Sequence, residues 1–333
     1  MRSSRFGAAV AIVAAVSLTA ACGFESDDSS TSSAGGGTSK PAAGEKPYIA
    51  IVSKGFQHQF WQAVKKGAET EAAKQGARIT FEGPPTEQDV EGQMTMLTNA
   101  LAKKPAALGF AALDSKAAAG ALKDAKAKNI PVIAFDSGVE GDIPLTTAAT
   151  NNKAAAAEAA KRMAALIGNK GTVGLVVHDQ TSVTGQDRRD GFLDWMKANA
   201  PGIKVLPVQY GAGDPAKSAD ITKSIISSHP DIAGIYGANE GSAVGVIKGV
   251  QESGKKNIKV VGFDSGQAQL TAIGNGTEAG AITQNPVGIG QQVVRAAMKA
   301  IKGETLPKTI DTGYYWYDKT NITDPKIQAV LYK

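Results

Sequence analysis

The chain has 333 residues, 42% hydrophobic and 20% charged, with 6% aromatic residues, 38 glycines, three histidines and one cysteine. That length suits two lobes, each able to bury its own core. A single thiol excludes an intramolecular disulfide, a zinc ribbon or a CxxC redox pair. His58, His178 and His229 show no metal-ligand spacing, so no metal and no cofactor is expected. The net charge of +5 includes Arg2 and Arg5; without them 34 basic residues face 31 acidic ones, or +3. No run of basic residues interleaved with aromatics is present, and no nucleic-acid partner is expected.

Arg2 and Arg5 precede 16 uncharged, small or apolar residues, 6–21. As a helix these span about 24 Å, short of a hydrocarbon core of roughly 30 Å, which favours a cleaved signal peptide over residues 1–21. The only cysteine, Cys22, ends that run in Leu18-Thr19-Ala20-Ala21-Cys22. The segment resembles a bacterial lipobox, with Thr19 where leucine is preferred; the resemblance implies lipidation of Cys22 and anchoring to the outer face of the cytoplasmic membrane. Residues 23–46, rich in Ser, Gly and Ala, read as a flexible tether with a reach of about 27 Å.

From Tyr48 short apolar runs alternate with amphipathic stretches. Strands are predicted at 48–53, 78–82, 107–111 and 132–135, with helices at 59–75, 89–103 and 115–128; in the first helix Trp61, Val64, Ala68 and Ala72 share a face. The rhythm resumes with strands at 172–177, 204–209, 232–237, 259–263 and 279–283. Helices are predicted at 152–167, 186–199, 215–228, 241–253 and 286–302. Alternation without hairpin signals predicts an α/β protein of two similar doubly wound, parallel-sheet lobes.

Residues 129–137 (NIPVIAFDS) and 257–265 (NIKVVGFDS) agree at six of nine positions, 128 residues apart. Ligands of open parallel sheets bind beyond the carboxyl ends of the strands, and each echo ends there in an aspartate, Asp136 or Asp264. Either alone reads equally as a helix cap. Their repetition argues for two carboxylates facing one cleft, where charge-assisted bonds suit a polyhydroxylated ligand.

These residues resemble the type I periplasmic binding proteins of sugar ABC transporters, closest in pattern to the ribose-binding protein, from about Tyr48 to Tyr317. His58-Gln59-Phe60-Trp61 stands where that pattern has Asn-Pro-Phe-Phe, Asp136-Ser137 where it has Asp-Arg, and Arg188 where it has an arginine before Gly-Phe. Asn239-Glu240, Gly262-Phe263-Asp264 and Gln284 match the motifs of the second lobe. The resemblance implies a ligand site of His58, Phe60, Trp61, Asp136, Ser137, Arg188, Asn239, Asp264 and Gln284, the aromatic rings packing on the sugar, although Phe60 and Trp61 cannot share one helical face. It implies three crossings between lobes, near Thr150, Gln284 and Asp311. One lobe would comprise 47–150 plus 285–311 and the other 151–284 plus 312–333, closing on the ligand. Its partners would be a sugar or sugar alcohol and an ABC permease with its ATPase, the protein acting as a monomer.

Ser137 in place of an arginine, Ala111 in place of an asparagine, Gly213 near an aromatic position and a longer loop at Lys54-Gly55-Phe56-Gln57 argue against ribose. A different pentose or hexose, or an acyclic sugar alcohol, is expected. An enzyme is disfavoured by the lack of GxGxxG, GxxxxGK[ST] and GxSxG signatures, and a repressor by the signal and tether in place of a helix-turn-helix. A ligand-sensing receptor feeding a signalling partner is the alternative to transport.

Overall fold

The computed structural model describes residues 45–332. The predicted signal peptide, Cys22 and all but the last two residues of the tether lie outside them. In the first half of the chain β1 (Tyr48–Val52), α1 (Gln59–Gln75), β2 (Arg78–Glu82), α2 (Val90–Ala102), β3 (Ala107–Phe110), α3 (Ala119–Ala127), β4 (Val132–Phe135) and β5 (Thr146–Ala149) alternate. Then come α4 (Asn152–Leu166), β6 (Gly171–Val177), α5 (Val183–Asn199), β7 (Ile203–Val205), β8 (Gln209–Tyr210), α6 (Pro215–Ser228), β9 (Ile232–Gly237), α7 (Glu240–Glu252), β10 (Lys259–Phe263), α8 (Gln267–Asn275) and β11 (Gly280–Gln284). The chain ends with α9 (Pro286–Ile301), β12 (Thr309–Asp311), β13 (Tyr314–Tyr317) and α10 (Pro325–Gln328).

Two sheets result, ordered β12-β5-β4-β3-β1-β2 and β13-β11-β10-β9-β6-β7, with β8 also paired to β6. The central strands are buried on both faces, as continuous apolar runs such as YIAIV require. Helices begin where short polar side chains cap them: Asp89, Asn151, Ser182, Asp214, Asn239 and Asn285 each accept a backbone N–H of the first turn. The helix α9 returns to the first sheet and packs on α1 at glycine contacts. A Cβ at Gly67 would collide with the Val287 carbonyl, and one at Gly290 with that of Val64.

The two-sheet α/β architecture agrees with the sequence, with local differences. The predicted strand 204–209 breaks into β7 and β8 at Pro207, which has no N–H to donate to a ladder. The α5 helix starts three residues before its predicted origin, because Ser182 caps the Gly185 N–H. The parallel expectation fails at one strand: β13 is antiparallel to β11. From β12, at the edge of the first sheet, the chain enters the edge of the second sheet through Thr312-Gly313 alone.

The echoed segments occupy equivalent places. Asp136 follows β4 with its amide bonded to the Ala148 carbonyl of the next strand at 2.9 Å, and Asp264 follows β10 with its amide on the Ile282 carbonyl at 2.6 Å. Both adopt left-handed backbone conformations, φ 55° and 82°, which aspartate tolerates better than most residues. Neither caps a helix: β5 is the next element after Asp136, and Gly266 occupies the N-cap of α8.

Candidate functional site

The carboxyl ends of β1, β2, β4, β6, β9, β10 and β11 converge on a small cavity of about 20 Å³, room for about one water. Its lining includes His58, Phe60, Trp61, Asp136, Arg188, Asn239, Asp264 and Gln284, eight of the nine ligand-site residues expected from the sequence. Ser137 is fully buried outside that lining, its hydroxyl without a partner. Phe60 and Trp61 both reach the cavity. They stand edge to face, centroids 5.0 Å apart, in the first turn of α1.

On the second-sheet side the groups brace one another. Arg188, 3% exposed, donates through Nε to Asn152 Oδ1 (2.8 Å) and through Nη1 to the Ala238 carbonyl (3.0 Å), and its guanidinium lies 3.7 Å from the centre of the Phe263 ring. That cation-on-ring contact and the fixed fork leave little rotational freedom. Asp264 accepts the Glu240 N–H at 2.9 Å and the Gln284 amide at 2.6 Å, with Arg188 3.8 Å away. The Gln284 carbonyl Oε1 is then left buried with no partner.

On the first-sheet side Asp136 is 5% exposed, and among the described residues no donor bonds its carboxylate. Burial pushes it up to about 6, against the pull of Lys54 and Arg188. An ionised acceptor without a protein donor, beside a guanidinium and two amides, can satisfy adjacent hydroxyls as both donors and acceptors.

Four lining residues were not singled out from the sequence: Lys54, Glu87, His178 and Thr184. Lys54, 2% exposed, donates to Thr184 Oγ1 at 3.2 Å and lies 4.0 Å from Glu87 and 3.9 Å from Asp179. Glu87 accepts the Trp61 indole N–H at 2.7 Å. Burial acts to raise Glu87, but the Lys54 charge and that hydrogen bond outweigh it, and the carboxyl is held below its ordinary range. Burial, reinforced by Lys54 and Arg188, drives His178 down to about 3 against the pull of Asp179, so its imidazole is neutral at pH 7. A positional signal for two of these existed: Lys54 and His178 stand just past β1 and β6, at the carboxyl ends where ligands gather.

The two sides also touch directly. Glu240, at the start of α7, accepts the backbone N–H groups of Gln59 (3.0 Å) and Phe60 (3.1 Å), and the Gln267 N–H bonds Gln59 Oε1 at 2.7 Å. His58, at the N-cap of α1, makes no capping bond, and Glu240 supplies the missing acceptor.

Two doubly wound sheets with a polar, aromatic-lined cavity between the carboxyl ends of their strands define a solute-binding architecture. The chain belongs to the periplasmic binding protein domain family, whose family model matches residues 49–305. It is 27% identical over 266 residues to the ribose import binding protein RbsB of Escherichia coli (strain K12), a match covering 78% of this chain and 87% of that one. Among solved structures it resembles an ABC transporter solute-binding protein from Agrobacterium vitis bound to α-D-tagatopyranose (33% identity, 86% of this chain and 100% of that one, TM-score 0.84). It also resembles a carbohydrate transporter solute-binding protein from Agrobacterium radiobacter in complex with D-arabinose (31% identity, 86% and 99% covered, TM-score 0.82).

Proposed function

We propose that this protein is an extracytoplasmic binding protein that captures a monosaccharide or sugar alcohol between its two lobes and delivers it to an ABC importer. The observation that carries this is Asp136 and Asp264 at the ends of equivalent strands, facing one cavity with Phe60, Trp61, Arg188, Asn239 and Gln284. Asp136 accepts and Arg188 donates; Asn239 Nδ2 and Gln284 Oε1 supply one group of each kind; Phe60 and Trp61 pack on C–H faces. Ser137 acts from behind the Asp136 turn. The ligand is released unchanged.

The lobes, 47–150 with 285–311 and 151–284 with 312–333, close about the three chain crossings to bury the ligand and present one joined surface to the permease. Cys22 carries the acyl anchor, residues 23–46 span the gap to the membrane, and the receptor acts as a monomer. The Ser137, Ala111 and Gly213 positions favour a pentose, hexose or polyol other than ribose. Thermal-shift screening of residues 47–333 against aldoses, ketoses and alditols tests this, because a ligand of the folded state raises the melting point. A rise with at least one of them at micromolar to millimolar concentration is expected, and none with any would overturn the reading. Loss of palmitate labelling in Cys22→Ser tests the anchor.

A further inference from the structure

After α10 the chain leaves the sheet it has just joined. Ile327 and Leu331 pack with Ile273, Ala281 and Tyr317 at the second sheet. Tyr332, 6% exposed, instead places its ring in the apolar core of the first sheet, in one cluster with Ile49, Trp61, Ile289 and Val293, and stands edge to face with Phe60 at 6.2 Å. Its hydroxyl accepts the Ser265 N–H at 3.1 Å, next to Asp264, and donates to Glu240 Oε2 at 3.4 Å. The same Oε2 takes the Phe60 N–H, while Oε1 takes that of Gln59. Burial, helped by the Asp264 and Glu240 carboxylates, holds the Tyr332 phenol well above its ordinary range, so it keeps its proton and remains a donor.

Resting on the sugar-binding reading above, we propose that Tyr332 is a positioning residue of the binding site: through Glu240 it fixes the first turn of α1, which carries Phe60 and Trp61, against the second sheet and so lengthens the time a bound sugar is held. Glutamate has a flexible stem, and its carboxylate can swing away from the two N–H groups of α1. A further donor on Oε2 restricts it to the orientation in which each oxygen meets one of them. The ring of Tyr332 is packed on Phe60 and its tip is held by the Ser265 amide, so the hydroxyl is delivered to Glu240 at one place. Tyr332 does not line the cavity, and its effect on the ligand passes through Glu240 and α1. Ser265 and Glu240 both follow strands of the second sheet, so the Ser265 bond lies within that side and bears equally on the free and the bound protein.

The test is stopped-flow kinetics on the full mature protein, Tyr332→Phe, Glu240→Ala and the double variant. The probes are D-tagatose, D-arabinose, D-fucose, D-ribose and D-allose. Tyr332→Phe keeps the ring and loses only the hydroxyl. With the sugar that binds tightest it should release about 10-fold faster than wild type, while association stays within about 2-fold. In the Glu240→Ala background the same change should alter release by less than about 2-fold, because the hydroxyl then has no carboxylate to orient. An unchanged release rate in Tyr332→Phe, or an equal acceleration with and without Glu240, would overturn the proposal and leave the sugar-binding reading standing. If wild type binds none of the sugars, that reading falls, and hydrogen exchange decides the role of Tyr332 separately. The Gln59 and Phe60 amides should exchange about 10-fold faster in Tyr332→Phe than in wild type while those of α9 keep their protection, and equal rates at Gln59 and Phe60 would overturn the proposal.

Discussion

Glu240 caps the first turn of α1 from across the cleft, its Oε2 taking the Phe60 N–H at 3.1 Å. A helix start that should be closed by its own N-cap residue is thus closed by a residue 180 positions away, on the other sheet. Burial, opposed by His58 and assisted by Asp264, raises the Glu240 carboxyl above the ordinary glutamate range.

Glu240→Ala removes the acceptor of two N–H groups, each costing about 1–3 kcal/mol when left buried and unpaired. Ligand affinity should fall at least 10-fold, mainly through faster dissociation. Stopped-flow tryptophan fluorescence checks this, and an unchanged off-rate would show that the contact does not hold the closed form.

Asp136 should make binding pH-dependent. Its ionised form accepts the ligand's hydroxyls, and in the free protein it protonates near pH 6, so affinity should drop up to 10-fold per unit as pH falls below 6. The unliganded protein should behave oppositely. The folded carboxyl binds a proton more readily than the unfolded one, so stability present below about pH 4 declines as pH rises to about 6, by on the order of 3 kcal/mol. Asp136→Asn should flatten both profiles in titration and melting measurements.

Asp264→Ala should lower affinity by about 2–4 kcal/mol, since it removes a charged acceptor and also frees Gln284 and the Glu240 amide, which it holds at 2.6 and 2.9 Å. Asp264→Asn, retaining one acceptor, should lose less, and calorimetry on the two variants separates these contributions.

Glu278 lies away from the cavity, 1% exposed, bonded to the Gln269 amide at 3.2 Å, and burial pushes its carboxyl up to about 8. The folded state keeps a proton there that the unfolded state gives up, so stability falls as pH rises from about 4.5 to about 8. Glu278→Gln should therefore raise the melting temperature at pH 9 and change it little at pH 4. Equal shifts at both pH values would count against a neutral buried acid.

The repeated FDS segments make both strand-end aspartates legible in the sequence, because a duplicated motif at the carboxyl edge constrains direction as well as position. Motif reading also located Arg188, Asn239 and Gln284. Lys54, Glu87 and Glu240 escaped selection because their roles depend on partners far along the chain: Thr184 lies 130 residues from Lys54, and Gln59 lies 181 from Glu240. Glu87 sits in a loop with no periodic signature. The strands β5, β12 and β13 were missed for a different reason: β5 (TTAA) and β12 (TID) lack the apolar run that marks β3 and β4, which are as short as β5, and β13 lies beyond the last strand-helix repeat. Of these, only β13 changed the topology.

The strands β12 and β13, three and four residues long, are joined by Thr312-Gly313, and each forms the outermost strand of its sheet. A single short segment therefore shields one rim of both sheets, and very short edge strands are poor templates for pairing with a foreign chain. Removing residues 309–317 would bare β5 and β11 at once, turning the paired rims into adhesive surfaces. Self-association of such a truncated chain, more than lost ligand affinity, would be its dominant defect.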